Sequence, residues 1–160
     1  MKPNVKSDPK QRNKIRWDGV IYVPGAIEAV ARNDGSPKAV ARHRVETSDK
    51  AVRLLVTPDN AEWHADGNDL QHLRITAVDK KGRRVCTAQD ELQFTVNGDA
   101  RIVAVTNGDI NSDELNVVDH RRLWNGSAMV ILRAGQSPSD ITLTTICPGL
   151  KTVKTKMKTK

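Results

Sequence analysis

The chain has 160 residues, enough to bury the core of one domain or two small ones. No apolar run approaches the roughly 18 residues that cross a bilayer, and the basic start "MKPNVKSDPKQRNKIRW" has no apolar h-region, so neither a membrane span nor a signal peptide is expected. The net charge of +7 invites a nucleic-acid reading, but residues 1–16 carry six basic residues against Asp8 and the last ten carry five lysines with no acid, leaving the body at −3. A phosphate-tracking groove needs its positive charge on the folded surface, so no nucleic-acid partner is expected and the two ends read as solvated, disordered tails.

Most of the chain alternates apolar and polar residues with period 2 between short turn signals. "IRWDGVIYV" leads into Pro24–Gly25, after which "AIEAVAR" sets Ile27, Ala29 and Ala31 on one face and Glu28 and Arg32 on the other. "NDGS" (Asn33–Ser36) is a hairpin signal, because Asn-Asp-Gly tolerates the positive φ of tight turns. "KAVARHRVET" is its partner strand, and this first section closes near Thr47.

A second set of strands begins at "AVRLLVTPD" and continues through "LQHLRITAVD", the short "RRVCTA", "LQFTV", "RIVAVT", "SAMVILRA" and "DITLTTI". "ELNVVDHRRLW" comes nearest to a helical period, but its bracketing turns and Val117–Val118 suit an extended or irregular segment. Some seven short strands over 48–150, separated by Gly, Asn and Asp turns, predict an all-β sandwich. The roughly three strands before it are too few for a complete sandwich of their own. The five rings, Trp17, Tyr22, Trp63, Phe94 and Trp124, are expected to be core anchors, because aromatic residues are only 3% of the chain.

Residues that could carry chemistry are few. "HADGNDLQ" (His64–Gln71) places Asp66 and Asp69 around Gly67, but it lacks the alternating acids and the closing glutamate of an EF-hand loop. The expected arrangement is a turn that starts a strand: Gly67 takes positive φ, and Asp66 or Asp69 accepts backbone N–H groups. Acid pairs such as Glu62 with Asp66, or Asp113 with Glu114, have no visible cleft to face across. The serines have no nucleophile elbow, and His43, His64, His72 and His120 lack metal-ligand spacing. There is no phosphate-cradling glycine loop, so no catalytic, cofactor or metal residues are assigned. Cys86 and Cys147 are far apart with no CxxC spacing, which leaves open whether they pair. Trp63 and Trp124 stand beside turns and are the candidates for stacking on a sugar, against the alternative that each is buried between sheets.

"WDGVIYVPGAIEAVARNDG" resembles the immunoglobulin-like domain that follows the catalytic barrel in bacterial β-galactosidases of glycoside hydrolase family 2, matching at Trp17, Val20, Tyr22, Pro24, Gly25, Ile27, Ala29, Ala31 and Gly35, with one extra residue between Trp17 and Val20. Val45–Thr47 is similar to the close of that domain. Blocks at Leu54–Asp59, Ala65–Leu70, Val78–Val85, Phe94–Gly98, Ile102–Asp109 and Gly126–Arg133 resemble the next immunoglobulin-like module of the same enzymes. The resemblance implies residues 1–47 as a basic tail plus the last strands of a truncated immunoglobulin-like domain, 48–150 as a complete immunoglobulin-like β-sandwich, and 151–160 as a basic disordered tail. It implies a non-catalytic accessory module, whose partners are the other domains of a parent hydrolase and, as an alternative, a glycan. An adhesin stalk domain is the third reading. A bacterial periplasmic or secreted setting goes with the resemblance.

Overall fold

The computed structural model describes residues 17–160, and the chain divides into two units after Thr47. In the first unit, β1 (Ala26–Arg32) pairs antiparallel with β2 (Ala39–Glu46) through the expected turn, where Gly35 has φ 73° and Ser36 N–H donates to Asn33 O at 3.1 Å. The register sets Ile27 opposite Val45, Ala29 opposite His43 and Ala31 opposite Ala41, all on one face; Glu28 and Arg44 lie opposite each other on the reverse. Thr47 ties the foot of the hairpin: its N–H reaches Gly25 O at 2.8 Å and its hydroxyl accepts from Gly25 N–H at 3.1 Å.

Residues 17–25 form no strand, although their alternation predicts one. A strand needs a ladder partner, and among the described residues none forms a ladder with this segment, which is joined to Thr47 through Gly25 and the Tyr22 hydroxyl. Trp17 and Tyr22 are correspondingly exposed rather than core anchors.

From residue 48 onward the immunoglobulin-like sandwich forms as two four-stranded antiparallel sheets. The first has the order β3 (Arg53–Pro58), β4 (Leu70–Val78), β8 (Ser127–Ala134), β6 (Ala100–Thr106). The second runs β10 (Val153–Lys158), β9 (Asp140–Ile146), β5 (Glu91–Asn97), β7 (His120–Arg122). Alternate residues of each strand supply one core: Leu73, Ile75 and Ala77 from β4, Val130 and Leu132 from β8, Leu92 and Phe94 from β5, Ile141 and Leu143 from β9. Each such aliphatic or aromatic side chain contributes about 1.5–3 kcal/mol when fully buried. "RRVCTA" becomes a loop, held to β4 by Val85 N–H on Ala77 O at 2.9 Å and by a single bridge between Val78 and Arg84.

The C-terminal ten residues depart from the disordered tail expected of them. Val153–Lys158 adds β10 to the edge of β9, with Met157 opposite Ile141 and Thr155 opposite Leu143. The physical reason is the alternation within "VKTKMK": Val153, Thr155 and Met157 share one face, and both Val153 and Met157 pack against the core, while Lys154, Lys156 and Lys158 point to solvent. Their charge therefore belongs to the folded surface and not to a tail. Beyond β10, Lys160 N–H donates to Trp63 O at 3.0 Å and Ala65 N–H donates to Lys160 O at 2.9 Å. The basic N-terminal residues 1–16 lie outside the described residues.

Candidate functional site

The "HADGNDLQ" stretch folds as the turn its residues predict. Gly67 has φ 76°, one Asp66 carboxylate oxygen accepts the N–H groups of Asn68 (2.8 Å) and Asp69 (2.6 Å), and β4 starts at Leu70. Asp69 accepts from the backbone of His64 at 2.8 Å and of Leu70 at 2.9 Å. These backbone bonds, the one from Asn68 foremost for Asp66 and the one from His64 foremost for Asp69, hold both carboxyls below the usual aspartate range. Both carboxylates therefore serve the shape of the turn. Among the described residues, no group of three or more His, Cys, Asp or Glu gathers as a cation cage.

Trp63 is only 2% exposed, and its indole N–H donates to Asp69 O at 3.1 Å. It therefore presents no face to a sugar, and the stacking role considered for it is corrected by its burial. The driving force is plain: a large apolar ring gains by leaving water, provided its single donor finds an acceptor.

Trp124 is different. At 37% exposure it is not the core anchor expected of it, and it lines a surface cleft of about 340 Å3. It precedes a two-residue turn in which Asn125 (φ 49°) and Gly126 (φ 69°) both take left-handed backbone, the geometry of a type I′ hairpin. Trp124 and Ser127 exchange N–H to O bonds of 2.9 and 3.0 Å across it. The turn lies hard against the loop before β5: a Cβ on Gly126 would stand 2.2 Å from Val85 O. The ring is thus carried on a fixed support.

The other wall of the cleft is the loop between β6 and β7, residues 107–119, held from inside by Arg121. This arginine is buried, and its guanidinium donates to Glu114 O (3.1 Å), Leu115 O (3.4 Å) and Asn116 Oδ1 (2.8 Å). Asn107 closes the near end by donating to Arg122 O at 3.0 Å and accepting from Asp109 N–H. Asp109 and Glu114 are bonded within the loop, to Asn111 N–H and the Ser112 hydroxyl. Gln89, Asp113 and Arg122 line the same cleft and make no side-chain hydrogen bond or ion pair among the described residues.

Sequence reasoning missed Arg121 and Asp79. Arg121 shares parity with the buried Leu123, which was the available signal that it points inward. Asp79 is fully buried at the end of β4; it accepts from Lys81 N–H, Arg83 N–H and Asp49 N–H and receives the Arg83 guanidinium at 2.7 Å. Burial alone would raise its pKa, but these bonds, the Arg83 side chain first, hold it far below the ordinary range. The two cysteines are free: Cys86 is exposed and Cys147 buried.

The family described as "Glycoside hydrolase family 2 C-terminal domain 5" matches residues 54–156. The chain is 30% identical to the β-galactosidase BoGH2A of Bacteroides ovatus over 147 residues, which is 92% of this chain but 17% of that protein. It is 26% identical to a β-glucuronidase of Formosa agariphila over 96% of this chain and 16% of that one. Among solved structures, a glycosyl hydrolase family 2 member from Bacteroides cellulosilyticus DSM 14838 superposes with a TM-score of 0.88 at 30% identity, covering 96% of this chain and 21% of the other. The chain thus spans only about a fifth or less of the length of these relatives.

Proposed function

Because the chain belongs to the family of glycoside hydrolase family 2 C-terminal domains, we propose that it is a non-catalytic accessory module of a β-galactosidase-like hydrolase and packs against the rest of that enzyme. The observation that carries this reading is the open apolar face of the β1–β2 hairpin. Ile27 is 63% exposed and Val45, its cross-strand partner, 53%. The reverse face carries the Arg42–Glu28 and Arg44–Glu46 ion pairs beside Val30. A two-stranded ribbon is marginal in water, and an apolar face of this kind persists when something covers it. Family membership leaves the adhesin-stalk reading without support.

Amide hydrogen exchange tests it. Residues 26–46 are expected to exchange rapidly in this chain alone and to gain protection in the full-length hydrolase, while β4 and β8 are protected in both. The isolated chain is expected to leave a chromogenic β-galactoside uncleaved. Equal protection of the hairpin in the two contexts, or genuine turnover by this chain, overturns the proposal.

A further inference from the structure

We infer that the Trp124 cleft is a contact site for a neutral saccharide. The ligand class is chosen in keeping with the hydrolase reading above, whereas the site stands on its own geometry. A pyranose presents an apolar C–H face and a rim of hydroxyls, so it calls for an aromatic plane beside donors and acceptors that are still unspent. The cleft has this combination. Trp124 supplies the plane, on a hairpin fixed by the Asn125–Gly126 turn and its seat against Val85. Gln89 offers an amide, Asp113 a carboxylate and Arg122 a guanidinium, none engaged with another side chain or backbone group among the described residues.

The opposite wall is preorganised as well. The buried Arg121 guanidinium fixes the loop at Glu114, Leu115 and Asn116, so little ordering is left for binding to accomplish. Charge selects within saccharides: Glu114 is offset by Arg121 at 3.6 Å, but Asp109 and Asp113 still outnumber Arg122 at the cleft surface, which disfavours a uronate. The apolar Trp63, by contrast, is sealed and serves as an internal reference.

The experiment is an NMR titration of this chain, following the indole N–H resonances with β-1,4-galactotetraose, cellotetraose and tetragalacturonic acid as probes. A saturable shift of the Trp124 resonance is expected with at least one neutral probe, at a Kd of about 1 mM or tighter, with the Trp63 resonance unmoved. Trp124→Ala is expected to weaken that binding at least about tenfold and Trp124→Phe much less. An unchanged Trp63 resonance in each variant confirms that the fold survives. No saturable shift up to about 20 mM of either neutral probe, equal binding by Trp124→Ala, or preference for the uronate overturns the inference. None of these outcomes depends on hairpin protection, so this site and the packing role fail separately.

Discussion

Asp79 shows how a charged residue ends up in the middle of a β-protein. Its carboxylate is removed from water, yet it closes the β4 turn by accepting three backbone N–H groups and the Arg83 guanidinium. The charged form is the stable one in the fold, so its folded pKa is depressed, as are those of Asp66, Asp69 and Asp119. A depressed carboxylate contributes stability above its unfolded pKa of about 3.9 and loses it as pH falls through the folded value. Urea midpoints measured from about pH 6 down to about pH 2 are therefore expected to drop below about pH 4. The drop should be shallower in Asp79→Asn, which should also start less stable; an unaltered pH slope in that variant would refute the role given to this carboxylate. Cys147 behaves oppositely. Burial, with Asp90 nearby, pushes the Cys147 thiol up, so an aromatic disulfide reagent should label Cys86 alone in the native chain and both thiols after denaturation. Protection of both thiols in the native chain would point to a bond between them that the structure does not show.

At the scale of elements, β10 and the Asn125–Gly126 turn matter most. Removing residues 151–160 strips a whole strand from β9, which keeps its ladder with β5 but becomes an exposed edge on the other side. That truncation is expected to lower the melting temperature markedly in calorimetry and to promote aggregation. Loss of a true tail would do neither. The three outward lysines of β10 suit its place at the sheet edge, since charge there discourages pairing with a second copy. At the turn, Gly126→Ala meets both a positive φ and the Val85 carbonyl, so a loss of more than about 1 kcal/mol is expected in urea unfolding. An undiminished midpoint would mean that the hairpin does not seat as described.

For the molecule as a whole, stability resides in the sandwich that begins at residue 48. Leu143 is completely buried between the sheets, and Leu143→Ala is expected to cost about 2–5 kcal/mol. The same truncation on the hairpin, Ile27→Ala, should scarcely move the unfolding of the isolated chain, because that side chain already faces solvent. Within a full-length hydrolase that covers this face, it should cost measurably more. Differential scanning calorimetry of both variants in both contexts separates a surface made to be covered from one that is simply apolar.

Alternation of period 2 and turn chemistry were sufficient, from the sequence alone, to give the all-β class, most strands of the sandwich and the role of Asp66 and Gly67, because these depend on contacts between near neighbours. What lay beyond reach were the properties fixed by residues distant in the chain. Trp63 and Trp124 both stand beside turns, yet one is buried in the core and the other is propped at the rim of a cleft. The lysine-rich end has the composition of a tail, and only the vacant edge of β9 makes its alternation a strand. Burial is decided by which surfaces meet, and the fold brings together segments up to about a hundred residues apart, as when the Lys160 backbone N–H bonds the Trp63 carbonyl.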